Sequence, residues 1–155
     1  MDFLNFKNVV LGALGITGGV IATALGGWDS GLQALVIFMA IDFITGLIVA
    51  GVFHTSPKSE SGAISSKASR EGLSRKGTML LIVLVGCQLD TITQNDFIRD
   101  SVIIGFVANE LISIVENAAA MGIPMPKVLT NAIEFLKQKQ DEFIDKVEKK
   151  GEDNE

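Results

Sequence analysis

Apolar residues collect into four long runs, at 9–27, 32–53, 69–89 and 101–121, and then give way to a strongly polar end. A bilayer core of about 30 Å needs about 20 apolar residues at about 1.5 Å each, so each run is a candidate membrane-spanning helix. The third is the shortest in apolar content, because 77–89 cannot cross alone. A helix capped by Ser66 or Ser69 and running through Arg70, Glu71, Arg75 and Lys76 supplies the missing length, with its basic side chains snorkelling into the headgroups.

The interruptions carry turn chemistry. Gly26 to Gly31 forms a short surface turn in which Trp28 is an interfacial anchor. Residues 54–76 are serine-rich, with Pro57 and Gly62 arguing for irregular chain at their start, and 90–100 form an acidic loop. Gly122-Ile123-Pro124-Met125-Pro126 stops the fourth helix. From Lys127 onward, Val128, Leu129, Ile133, Leu136, Phe143, Ile144 and Val147 recur near helical spacing among Lys, Glu and Asp. The expected architecture is an all-α integral membrane protein. A membrane domain over 1–126 has four transmembrane helices, or three if the first is discounted, and an amphipathic cytoplasmic helix occupies 127–155. That helix packs under the membrane domain or self-associates, and the final GEDNE is disordered. Lys7, the apolar run after it and Ala22-Thr23-Ala24 have the outline of a cleavable signal, but one lysine and a glycine-rich run favour keeping 9–27 as a span.

Polar residues inside the spans are the candidate functional positions, because each is costly in hydrocarbon. Asp42 lies at the midpoint of the second run and shares a helix face with Thr45, Gly46 and Val49. In the fourth, Asn109, Glu110, Ser113, Glu116 and Asn117 fall on one side, with Glu110 near the middle. No Lys, Arg or His lies in a span interior, so Asp42 and Glu110 are expected to have no cationic partner within the chain. Either they are protonated and hydrogen-bonded in a closed bundle or they face water in an assembled pore, and three roles stay open: joining helices, opening or lining a hole, and relaying protons or ions. Gly12, Gly15 and Gly19 lay a ribbon of small residues along the first run, which lets another backbone approach within the chain or from a second copy.

Composition agrees with the pattern. Hydrophobic residues make up 48% of the 155 positions, mean hydropathy is +0.40, and the net charge of −5 comes largely from the tail and short loops. No basic patch interleaved with aromatics exists and Tyr is absent, which removes support for nucleic-acid binding. Cys87 is the single cysteine and His54 the single histidine, so no disulfide or metal cage can be assembled, and no cofactor is expected. No nucleophile, base and orienting group fall at a recognisable spacing, which argues against an enzyme. With four spans, the N-terminus, 54–76 and the tail share one side and hold every basic residue except Arg99. Both termini are therefore expected in the cytoplasm.

Four stretches carry a family resemblance: Ile41-Asp42-Phe43-Ile44-Thr45-Gly46; Glu71-Gly72-Leu73-Ser74-Arg75-Lys76-Gly77; Asn109-Glu110-Leu111-Ile112-Ser113-Ile114-Val115-Glu116-Asn117; and Gly122-Ile123-Pro124-Met125-Pro126. In this order and spacing, the chain from about Leu32 to Leu136 resembles the phage-lysis and toxin-secretion holins of clostridial and bacillar phages and prophages. The resemblance implies self-assembly in the bacterial cytoplasmic membrane into lesions that release an endolysin or a toxin. It also implies three spans, where the hydropathy pattern counts four. The residues alone leave two rivals, a small proton-coupled transporter or channel subunit and a structural membrane anchor.

Overall fold

In the computed structural model the described residues are 3–56, 63–95 and 97–152. They form five helices: α1 (Phe3–Ala24), α2 (Ser30–Ile48), α3 (Ser66–Thr93), α4 (Ile98–Ala120) and α5 (Lys127–Glu152). A π-helical turn, Val49–Phe53, prolongs α2 and ends where His54 takes a left-handed conformation. The helices α1, α2 with its extension, α3 and α4 are each long and apolar enough to cross a membrane, matching the expected all-α membrane architecture. The helix bounds differ from the apolar runs mainly at the starts. Ser65, rather than Ser66 or Ser69, caps α3, its hydroxyl accepting from the Ala68 N–H. The last helix runs through Glu152, two residues into the stretch expected to be disordered, and 153–155 lie outside the described residues.

The turn from α1 to α2 follows directly from its sequence. Gly26 and Gly27 adopt φ of +87° and +105°, a region that costs a residue with a Cβ, and Asp29 then caps α2 by accepting from the Leu32 N–H at 2.8 Å. The start of α4 is capped from a distance. Phe97 has no capping side chain, and the Asp90 carboxylate, one helix earlier, accepts from the Ile98 and Arg99 N–H groups at 2.9 Å each.

The hub of the bundle is α4, which packs against α2, α3 and α5, while α2 and α3 touch each other little. The core lies between α2, α3 and α4 and consists of Leu32, Leu35, Met39, Val83, Ile103 and Val107, joined by Leu25 from the first turn. Partly buried Leu136 brings α5 onto the same core. By contrast α1 has no buried residue within its apolar window, and a Cβ on Gly12, Gly15 or Gly19 would meet nothing within 4 Å. Among the described residues, the glycine ribbon therefore faces no other element.

Close approach of α3 and α4 depends on Gly86. A Cβ there would lie 3.2 Å from the Arg99 Cα, a backbone atom that cannot swing aside, whereas Gly77 on the same helix has open space around it. Gly86→Ala should therefore destabilise the bundle by about 1–3 kcal/mol. Gly77→Ala should be neutral or stabilising by up to about 1 kcal/mol through helix propensity. Thermal unfolding of the two variants in detergent checks this opposition of sign.

Candidate functional site: a charge cluster between three helices

Asp42 on α2 and Glu110 on α4 are buried, and they face the same ammonium. Lys76 on α3 donates to Asp42 Oδ2 at 2.8 Å and to Glu110 Oε2 at 2.5 Å. All three side chains are 11% exposed or less. The expectation that the acids have no cationic partner within the chain is thus overturned. The reason is register. Gly86 lies beside Arg99 in the α3–α4 hairpin, and a further ten residues back along α3 reach Lys76 as eleven along α4 reach Glu110. Instead of snorkelling to the headgroups, the lysine runs its aliphatic stem inward. An ion pair in low dielectric costs less there than isolated charges would.

Asn117 completes the network from two turns further along the hub helix. Its Nδ2 donates to Asp42 Oδ1 and to Thr45 Oγ1, at 3.0 Å each, and lies 3.3 Å from the Asp42 carbonyl. Thr45 in turn donates back to the Ile41 and Asp42 carbonyls, the usual bond of a threonine inside a helix. A Cβ on Gly46 would sit 3.7 Å from the same amide nitrogen, an ordinary contact. Among the described residues no buried side-chain nitrogen or oxygen lacks a partner. A cavity of about 150 Å3 opens beside the cluster, lined by Asp42, Lys76, Glu110, Asn109, Ser113 and Arg75 among others.

Of the polar residues expected on one side of α4, the fold separates two sets. Glu110 and Asn117 turn into the bundle, Ser113 is half-buried at the cavity, and Asn109 and Glu116 are exposed. The five span an arc of about 120° at about 100° per residue, too wide for one neighbouring helix to cover.

A second charged group closes the opposite end of the bundle. Arg99, buried at the start of α4, donates through Nε to the Leu25 carbonyl at 2.5 Å and through Nη2 to the Gly27 carbonyl at 3.3 Å. Its Nη1 pairs with Asp29 at 2.6 Å and Asp100 at 3.1 Å. This arginine, noticed in the sequence only as the one basic residue on its side, ties the α1–α2 turn to the α3–α4 hairpin. The hydrogen bond from Arg99 is the main reason the Asp29 carboxyl is held below the ordinary 3.8, against a partial desolvation that pushes the other way. Neither cluster holds the makings of a metal site: among the described residues no group of three His, Cys, Asp or Glu is disposed to bind an ion.

A profile of the bacteriophage holin family matches residues 19–138, from the end of α1 into α5. The chain belongs to the bacteriophage holin family. Among its relatives, an uncharacterised protein of Listeria monocytogenes is 35% identical over 89% of this chain and 93% of its own length. A 14.9 kDa Clostridium perfringens protein, encoded in the nagH 3' region, is 30% identical over 88% and 98% respectively. A probable holin of Bacillus phage phi105 is 29% identical over 74% of this chain and 80% of its own. No solved structure matches. Family membership and the four apolar helices make this holin-family chain a multi-pass membrane protein.

Two expectations follow for the clusters. Removing the ammonium with Lys76→Met should cost about 3–5 kcal/mol, since it leaves buried carboxylates without their cation. The triple variant Lys76→Met, Asp42→Asn, Glu110→Gln should recover much of that loss, and unfolding in detergent gives both values. Asp29 has its folded-state value depressed. Its contribution to stability is therefore present above 3.8 and lost as pH falls through the lowered value. Unfolding followed from about pH 6 to about pH 2 should show an acid-side loss that is smaller in Asp29→Asn.

Proposed function

We propose that the protein is a holin in the full sense. It accumulates in the bacterial cytoplasmic membrane with both termini in the cytoplasm, self-associates, and opens lesions through which an endolysin or a toxin leaves the cell. It acts without catalysis or cofactor. The observation that carries the proposal is the Lys76–Asp42–Glu110 cluster, buried among membrane-crossing helices of a holin-family chain. An ion cluster at that depth is stable only while α2, α3 and α4 stay together, or while water replaces the protein around it. It is therefore suited to a subunit with a closed form and a hydrated one.

In this reading Asp42, Thr45, Glu110, Ser113 and Asn117 hold α2 and α4 of one subunit together, and Asn109 and Glu116 lie on the surface that meets neighbouring subunits. Gly46 lies beside Asn117 in this arrangement. Gly12, Gly15 and Gly19, which meet no other element among the described residues, supply a face for a second copy.

Induced expression in a bacterium with and without a cytoplasmic endolysin tests the function. Abrupt loss of membrane potential in both strains, with lysis only where endolysin is present, is the expected result. Gradient-driven, saturable transport without release of a folded protein would replace it with a transporter. At matched expression, Asp42→Asn and Glu110→Gln should shift the moment of permeabilisation by several-fold more than exposed substitutions such as Lys67→Gln.

A further inference from the structure

The amphipathic tail does not lie beneath the bundle; it folds back along α4. The side chain of Gln140 comes so close to Gly105 that a Cβ on the glycine would touch it, and Leu136 is partly buried against the bundle core. In an antiparallel pair with the same rise per residue, this register sets Glu134 level with Leu111, beside the depth of Glu110. It sets Glu142 level with Ile103, so α5 accompanies α4 over most of the span.

The face of α5 turned from α4 is not one that lipid can cover. Leu129, Ala132, Ile133, Leu136 and Gln140 are half-buried toward the bundle. The opposite side carries the exposed carboxylates Glu134, Asp141, Glu142 and Asp145, with Lys137 among them and Lys127 at its start. Charges at the depth of a hydrocarbon core are excluded unless they meet protein or water. Since α4 is apolar enough to cross the membrane, the α4–α5 hairpin and an uninterrupted lipid surround are mutually exclusive. An isolated subunit in an intact bilayer must keep α5 at the cytoplasmic surface, where an amphipathic helix is stable.

Resting on the holin reading above, we propose that the α4–α5 hairpin is the wall of the open lesion. In that state α4 packs toward the other helices, and the acidic face of α5 borders the water-filled lumen. Opening then includes a swing of α5 from the membrane surface onto α4. The Gln140 amide rests in the space that a side chain at Gly105 would fill.

A cysteine pair reports the swing. In a Cys87→Ala chain, Gly105→Cys with Gln140→Cys is expressed in cells, and a short thiol crosslinker is applied at intervals while dye entry marks permeabilisation. A second pair, Ile112→Cys with Ile133→Cys, stands on the same two faces two turns nearer the bend and covers the case in which the first fails to fold. Crosslinking within one chain should be about tenfold lower before dye entry than after it. Equal crosslinking before and after would overturn the proposal, as would its absence after dye entry in a pair that still permeabilises cells. Should the unsubstituted chain never admit dye, the holin reading fails and the wall fails with it. Loss of only the crosslinking pattern leaves the holin reading standing.

Discussion

Everything in this bundle is arranged around one ammonium group. Lys76 is the point at which α2, α3 and α4 meet chemically, since α2 and α3 have little direct contact and each is held mainly by the hub α4. Three charges inside a membrane protein give little net stability, because desolvation offsets most of the Coulomb attraction. What they supply is specificity. The acids fix which face of α2 and of α4 points inward, and Lys76 fixes the register of α3 between them. Asn117 makes the arrangement tighter by tying the Asp42 carboxylate to the hub through a second helix turn.

At the other end Arg99 performs a similar task with different chemistry. Its planar fork satisfies two backbone carbonyls that the glycine turn leaves without helical partners, and it reaches two carboxylates at once. A lysine could not do this from one position. The bundle is therefore pinned at mid-depth by a point charge and at one surface by a fork, with an apolar core of Leu32, Leu35, Val83 and Ile103 between and around them. The first helix remains outside this arrangement. It is joined only at Leu25 and the turn, which leaves its glycine ribbon available to other molecules.

Much of the architecture was legible in the order of apolar runs. Four spans, the glycine turn, the proline stop after α4 and the amphipathic last helix all follow from periodicity and local turn chemistry. The four motifs were enough to suggest the family. Lys76 was misjudged because counting apolar residues from Gly77 puts a lysine at a membrane edge, whereas hairpin register puts it opposite Glu110. Counting back from the α3–α4 turn could have found it. The fold-back of α5 was not readable by either route. Amphipathic spacing tells which side of a helix is buried, but not against what, and the space that admits Gln140 is a single glycine in the middle of another helix.

The central claim is that Lys76 bridges the two acids while the protein sits in a bilayer. Solid-state NMR of the chain in lipid, with isotope labels on the Lys76 ammonium nitrogen and on the carboxyl carbons of Asp42 and Glu110, measures that contact directly. Strong dipolar coupling of the one nitrogen to both carbons is the predicted result. A lysine nitrogen coupled to neither, and instead in rapid contact with water, would contradict it.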